Sequence, residues 1–276
     1  MILVTGSTGN VGAELVRALV EAGERVRALV RDPRRGRLPD GVEVGVGDLN
    51  QPESLAGALT GVRGVFLLPG YADMPGLLNQ IRLAGVERVV LLSGGSAGSG
   101  DTNNAVARYM IVSEGAVREA GVGWTFLRPG AFMSNALRWV PQLRIGDVVR
   151  VPFGGVRAAA VDPYDIAAVA ARALLVDGHE GQIYRLSGPE SLLPADQVAV
   201  LGKALGRELR CEELSNAEAR AQMEASMPAE YVDAFFSFYV DGTLDESQVL
   251  PTVREVTGQP SRTFEQWAEA HADAFH

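Results

Sequence analysis

The chain has 276 residues, 47% of them hydrophobic and 21% charged, with a formal net charge of −9. Such a composition suits a soluble globular protein with a large core, as one large domain or one domain plus a smaller lobe. It excludes nucleic acid as the main partner, because phosphate backbones are met by basic surfaces. No apolar run is long enough to span a bilayer and Met1 leads directly into a strand-like stretch, so no membrane partner and a cytoplasmic location are expected. Cys211 is the single cysteine, and His179, His271 and His276 are dispersed, which argues against a disulfide framework, a metal site or a histidine-based triad. Lys203 is the sole lysine among 25 basic side chains, a bias that constrains the chemistry considered below.

The first stretch, Met1-Ile2-Leu3-Val4-Thr5-Gly6-Ser7-Thr8-Gly9-Asn10-Val11-Gly12, is an apolar run that breaks into three glycines spaced three apart. A helix pattern follows, with Leu15, Val16, Leu19 and Val20 on one face. A strand-to-helix turn of this kind presents unpaired N–H groups, the positive end of a helix dipole and bare backbone to an anion. Gly6 is expected to make the tight turn, Gly9 to allow close approach of a pyrophosphate, and Gly12 to let the helix pack closely on its strand.

A second strand over residues 26–30 stops at Arg31-Asp32-Pro33, about 20 residues past the glycines, where a dinucleotide fold meets the adenine ribose. An arginine there suits a 2′-phosphate and an acid suits a 2′-hydroxyl. Arg31 comes first and Arg34, Arg35 and Arg37 follow, which favours NADP(H) over NAD(H). Asp32, held in a turn by Pro33, is the rival ribose ligand.

Strands are then expected at 42–46, 64–68 and 88–92, with helices beginning near Asn50 and Pro52 and spanning 75–84. The glycine-rich segment 94–100 reads as a flexible linker beside the site, either a substrate lid or a loop without a role. A helix over 103–120 and a strand over 124–127 lead into Arg128-Pro129-Gly130-Ala131-Phe132-Met133-Ser134-Asn135. This alternation predicts an α/β, Rossmann-like, doubly wound parallel sheet, with ligands at the carboxyl ends of its strands. The Gly6 turn, Arg31, Asp48, Leu68, Tyr71 and Ser93 lie at those ends.

From residue 148 onward the pattern is α+β. Helices are expected at 165–175, 195–205 and 228–240, strands at 182–186 and 209–214, and capping boxes at Ser215 with Glu218 and Thr263 with Gln266. The 228–240 helix is rich in aromatics and reads as core, substrate wall or dimer face. The domains are read as 1–150 for NAD(P) and 151–276 as a smaller substrate-binding lobe, with exchange of strands and helices between them open.

With these motifs in hand the chain resembles the NmrA-like group of atypical short-chain dehydrogenases/reductases, which includes NAD(P)H:quinone reductases. The matching segments are the Thr5 to Gly12 run, Leu29-Val30-Arg31-Asp32-Pro33, Gly47-Asp48-Leu49, Trp124-Thr125-Phe126-Leu127-Arg128-Pro129-Gly130 with Phe132, Met133 and Asn135, and Val161-Asp162-Pro163-Tyr164-Asp165-Ile166-Ala167. The resemblance implies that Gly6, Ser7, Thr8, Gly9, Asn10 and Val11 surround the pyrophosphate and that Arg31 meets the 2′-phosphate. It also implies that Asp48 and Leu49 flank the adenine, Leu68 and Pro69 line the ribose side, and Pro129, Gly130 and Phe132 approach the nicotinamide.

The chain departs from the family's usual Tyr-x-x-x-Lys pair, in which lysine lowers the tyrosine pKa so that it can protonate a carbonyl. Here the helix carries Tyr109-Met110-Ile111-Val112-Ser113, and an unassisted tyrosine keeps a pKa near about 10. Tyr109 and Ser93 remain the candidate catalytic residues, and Tyr71, Phe132 and Met133 the candidate substrate pocket. The expectation is NADPH-dependent hydride transfer to a quinone-like or conjugated, aromatic small molecule, without metal or flavin, by a monomer or homodimer. The alternatives are a non-catalytic NADP(H)-binding redox sensor and a tailoring oxidoreductase of aromatic natural products.

Overall fold

The computed structural model describes residues 1–32 and 38–275. Its strands are β1 (Ile2–Val4), β2 (Val26–Val30), β3 (Glu43–Val46), β4 (Gly64–Leu67), β5 (Arg88–Leu92), β6 (Gly123–Pro129), β7 (Val148–Val151), β8 (Gln182–Leu186) and β9 (Arg210–Glu213). The helices are α1 (Asn10–Glu21), α2 (Met74–Leu83), α3 (Ala105–Glu119), α4 (Val140–Leu143), α5 (Pro163–Leu175), α6 (Pro194–Leu205), α7 (Asn216–Glu224), α8 (Ala229–Tyr239), α9 (Thr252–Thr257) and α10 (Phe264–Ala270). These group into two compact units that interleave in sequence. One is Met1–Gly98, Arg108–Pro129 and Pro163–Arg185; the other is Ser99–Ala107, Gly130–Asp162 and Leu186–His276.

In the first unit the sheet runs in the order β3-β2-β1-β4-β5-β6-β8, with parallel pairing from β3 through to β6. The strand order reverses beside β1, the topological switch point at which such sheets bind ligands. Both faces are covered, so the central strands are apolar on successive residues instead of alternating. Leu3, Val65, Leu67, Val89 and Leu91 pack with Leu77, Leu78 and Ile81 of α2 and with Val117 of α3. On the other face α1 packs against α5, whose Leu174 closes over Gly64. The sequence pattern predicts the α5 helix but says nothing of which sheet it covers, and it belongs with α1.

Two expected elements differ. The helix expected after Pro52 is one turn of 3-10 helix, Pro52–Leu55, succeeded by turns containing Gly57 and Gly61. The 94–100 segment, expected as a flexible linker, contains an ordered 3-10 turn, Gly95–Ser99, with Ser96 and Ala97 buried. Its small side chains allow a tight turn to be buried, which composition alone reads as freedom.

The second unit has its own core, in which Met133, Val149, Val151, Val198 and Leu201 surround Phe264, Trp267 and Phe275. Strand β7 pairs in parallel with β9. Both expected capping boxes form: Ser215 Oγ accepts from Glu218 N, and Thr263 Oγ1 from Gln266 N. In α8, Val232, Ala234 and Phe238 are buried, while Phe235, Phe236 and Tyr239 are half-buried. Phe153 lies against them with φ +53°, the one non-glycine residue at positive φ among those described. That backbone region costs a bulky residue about 1–3 kcal/mol, and such strain concentrates at functional sites.

Candidate active site

The first unit builds its site on the turn after β1. Gly6 takes φ +61°, and Gly9 N donates to Gly6 O at 2.9 Å, closing the loop. Gly12 makes the tightest approach: a Cβ there would stand 2.1 Å from Gly6 O and 2.6 Å from Gly6 C. A Cβ on Gly6 would meet Leu68 Cδ1 at 2.6 Å, whereas one on Gly9 would meet only Gly6 O, at 3.3 Å. The turn is therefore shaped by Gly6 and Gly12, and Gly9 keeps its outer face open. Gly9 is the N-cap of α1 and no side chain caps this helix, while Thr8, Gly9 and Asn10 are exposed. Uncapped N–H groups behind a bare glycine turn fit a diphosphate. Ser7 and Val11 are buried beneath it, with Ser7 Oγ donating to Leu29 O at 3.4 Å.

Neighbouring strand ends supply the other expected ligands. Leu68 N donates to the buried Thr5 Oγ1 at 3.1 Å, which ties the end of β4 to the end of β1, and Pro69 follows half-buried. Arg31 is exposed directly after β2. Arg34, Arg35 and Arg37, which supported the 2′-phosphate expectation, lie outside the described residues. Asp48 Oδ1 accepts from Asn50 N at 3.0 Å, shaping the turn after β3, and Leu49 packs on the core. Tyr71 is expected in the substrate pocket, yet its electrostatic neighbours are Arg31 and Asp48, both assigned to the adenosine end. Burial raises its phenol above the usual value, with Arg31 opposing and Asp48 adding to the shift.

Tyr109 is half-buried on α3, and its ring packs on Gly70, with Cδ2 3.2 Å from where a Cβ would be. Ser113 stands where the family's lysine would. Its Oγ donates to Tyr109 O at 2.7 Å and accepts from Gly70 N at 2.9 Å. Lys203, in the second unit, pairs with Glu265 at 2.6 Å. The position four residues after Tyr109 thus carries a hydroxyl in place of an ammonium group.

Ser93, at the end of β5, is committed to a residue the sequence did not single out. Its Oγ donates to Glu114 Oε1 at 2.7 Å. Glu114 is 1% exposed and accepts a two-pronged pair from Arg128, at 2.8 Å from Nε and 2.6 Å from Nη2, and a 3.0 Å bond from Arg118. Burial alone would raise this carboxyl, but the hydrogen bonds from Arg128 and Ser93 and the charges of Arg128 and Arg118 hold it below the usual range. Glu114 thus ties α3 to the carboxyl ends of β5 and β6. A glutamate on the inward stripe of α3, seven residues after buried Ala107 and three before buried Val117, is the signal that would have found it.

Of the residues expected near the nicotinamide, Pro129 ends β6 in the first unit, while Gly130, Phe132 and Met133 belong to the second. There Val161 N donates to Ala131 O at 2.8 Å and Met133 N to Val161 O at 2.9 Å, a parallel bridge that fixes Phe132 half-buried. Met133, expected to line the substrate, is 2% exposed and sits in the core of that unit.

Comparison with known proteins identifies the family of the chain. Residues 6–176 match the family model described as NAD(P)H-binding. The chain is 43% identical over 280 residues to a (4-alkanoyl-5-oxo-2,5-dihydrofuran-3-yl)methyl phosphate reductase of Streptomyces griseus, covering 100% of this chain and 99% of that one. It is 38% identical over 284 residues to an NAD(P)H azoreductase of Xenophilus azovorans, again covering 100% and 99%. Among solved structures, an NADPH-dependent quinone oxidoreductase of Escherichia coli matches with a TM-score of 0.80 and 25% identity over the whole of both chains. Among the described residues no helix is long and apolar enough to cross a membrane.

Proposed function

Because this chain belongs to the NAD(P)H-binding family, in the NmrA-like group of atypical short-chain dehydrogenases/reductases, and is an NAD(P)H-dependent oxidoreductase, we propose that it reduces quinone-like or otherwise conjugated small molecules in the cytoplasm, with NADPH preferred over NADH. The observation that carries this reading is Ser113 in place of lysine. Its hydroxyl is used up between Tyr109 O and Gly70 N, so position 113 does not supply the ammonium group of the usual pair. A simple ketone needs such an acid, whereas a conjugated acceptor is electrophilic enough to take hydride without one. The dihydrofuranone, azo and quinone names of the relatives describe acceptors of this conjugated kind.

In this reading Gly6, Ser7, Thr8, Gly9, Asn10 and Val11 hold the diphosphate, Arg31 the 2′-phosphate, Asp48 and Leu49 the adenine, Leu68 and Pro69 the ribose, and Pro129, Gly130 and Phe132 the nicotinamide face. The bound nicotinamide supplies the hydride. The protein's part is to orient it: the glycine turn sets the diphosphate and Glu114 steadies the strand ends carrying Ser93 and Arg128. Tyr71 is better placed for the adenosine end than for the substrate, since Arg31 and Asp48 are its charged neighbours.

Following NADPH absorbance with a panel of quinones tests the reaction, with turnover well above the uncatalysed rate expected. Tight NADPH binding with no turnover on any of them would count against quinone-like acceptors and favour the cofactor-binding sensor. The cofactor preference is tested by titrating NADPH and NADH into wild type and Arg31→Ala. Loss of a charge-assisted contact worth about 1.5–3 kcal/mol should weaken NADPH by about tenfold or more and leave NADH nearly unchanged. Equal NADPH affinity in the variant would remove Arg31 from the site.

A further inference from the structure

The short segment that follows β4 is fastened from two sides, and both fastenings lie within the first unit. Of its residues Leu68, Pro69 and Gly70, only the outer two carry a main-chain N–H, because proline has none. Leu68 N donates to Thr5 Oγ1 at 3.1 Å and Gly70 N to Ser113 Oγ at 2.9 Å, so both donors end on buried hydroxyls, one just after β1 and one on α3. Ser113 is 1% exposed, and its own proton goes to Tyr109 O at 2.7 Å, one turn back along the helix, which leaves a lone pair aimed at Gly70.

The fit around Gly70 is equally close. Gly70 takes φ +88°, and a Cβ there would lie 3.2 Å from Tyr109 Cδ2 and 3.7 Å from Cε2. The tyrosine ring therefore backs the same peptide that the serine holds. At the other end Leu68 covers Gly6, with Cδ1 2.6 Å from where a Cβ would stand. Leu68 and Pro69 are half-buried and Gly70 is exposed, so the segment keeps an accessible surface while its donors are turned inward. The sheet order says which half of a dinucleotide this surface meets. β1 lies between β2 and β4, and β5 follows β4. A diphosphate on the turn after β1, with its adenosine directed to Arg31 after β2, sends the other half of the molecule over β4 and β5.

We propose that Ser113 is a positioning residue for the nicotinamide half of the cofactor: it sets the 68–70 segment as a fixed wall against the nicotinamide ribose, with the Tyr109 ring behind that wall. The proposal rests on the cofactor reading above, in which Leu68 and Pro69 line the ribose. Position 113 then serves cofactor binding through a backbone that it holds, instead of through an ammonium group. A wall already in place leaves less motion to be lost when the nicotinamide half binds, so a residue set behind it raises affinity.

Calorimetric titration of NADPH and of 2′,5′-ADP, the adenosine half alone, into wild type and two variants tests the proposal. Ser113→Ala removes the acceptor of the Gly70 N–H and should weaken NADPH by about tenfold, with 2′,5′-ADP within about twofold of wild type. Gly70→Ala, which strains a positive φ and presses a methyl on the Tyr109 ring, should show the same selective loss. A general loosening of the unit would weaken both ligands together, and that result overturns the proposal. A Ser113→Ala protein that binds NADPH like wild type overturns it as well. If NADH proves the tighter cofactor, NADH and ADP form the pair and the same criteria hold. A wild type that binds 2′,5′-ADP as tightly as NADPH would show that the nicotinamide half gains nothing from a wall, which overturns the ribose assignment of Leu68 and Pro69 and the proposal with it. Every arm reads binding, so the outcome is independent of whether wild type reduces a quinone.

Discussion

Gly12→Ala is expected to abolish measurable NADPH binding and to destabilise the fold, although it adds one methyl group to a helix. The new Cβ would lie 2.1 Å from Gly6 O, 2.6 Å from Gly6 C and 3.0 Å from Ser7 Cα, all of them backbone atoms. A flexible side chain can rotate away from such a contact; a turn closed by the Gly9 N to Gly6 O hydrogen bond cannot. Either α1 lifts from β1 or the turn opens, and both displace the N–H groups aimed at the diphosphate. Overpacking of this sort costs about 1–3 kcal/mol. Gly9→Ala is the control. Gly9 has φ −88°, which alanine adopts freely, and its Cβ would meet only Gly6 O, at 3.3 Å. That variant should lose far less Tm than Gly12→Ala while losing cofactor affinity, because the methyl meets a single backbone oxygen and would occupy the face a diphosphate approaches. Thermal melts with and without NADPH separate the two. A Gly12→Ala protein that binds NADPH like wild type would show that the turn does not hold the cofactor.

Glu114→Ala should be the most destabilising single substitution in the first unit. It removes the acceptor of the Arg128 pair, the Arg118 bond and the Ser93 hydroxyl at once, and leaves the Arg128 guanidinium without its counter-charge. Breaking a buried pair from one side costs about 3–5 kcal/mol, or roughly 10 °C in Tm for a chain of this size. Glu114→Gln keeps the shape and should cost less. The pH dependence supplies an independent check. The folded-state pKa of Glu114 lies below its unfolded value near 4.5, so the unfolded chain binds the proton more readily. The stabilisation is therefore complete above about 4.5 and is lost as pH falls through the lowered folded value. Wild type should lose Tm more steeply than Glu114→Gln over that acid range, and parallel curves would mean that the ion pair contributes little. Ser93 bears on function here: its hydroxyl is spent on Glu114, which makes it a poor proton donor in the proposed reaction.

The strands and helices could be read from the sequence wherever the signal is local. Strands β2, β5 and β8 begin and end where their apolar or β-branched runs meet glycine, proline or charge, and both capping boxes follow from the Ser215/Glu218 and Thr263/Gln266 spacings. The glycine turn was legible for the same reason, because a positive φ at Gly6 and a clash at Gly12 are demands that only glycine meets. The absence of a lysine beside Tyr109 needed nothing beyond the order of residues.

Tertiary structure decided which groups, distant along the chain, share a place. Helix α5 packs with α1, 150 residues before it in the chain, because its apolar stripe suits the sheet face that α1 leaves open, and a stripe does not name its partner. Met133 went to a core and Tyr71 to the neighbourhood of Arg31 and Asp48, since an apolar or aromatic side chain carries no mark of which surface it will meet. Glu114 and Glu246 are the clearest cases. In sequence each is one acid among 34 acidic residues; in the fold one is held below the usual carboxylate range by two arginines and the other is raised above it by burial, with a tyrosine hydrogen bond opposing the shift. The chemistry of a carboxyl group is set by the charges and burial around it, and those are long-range properties of the folded chain.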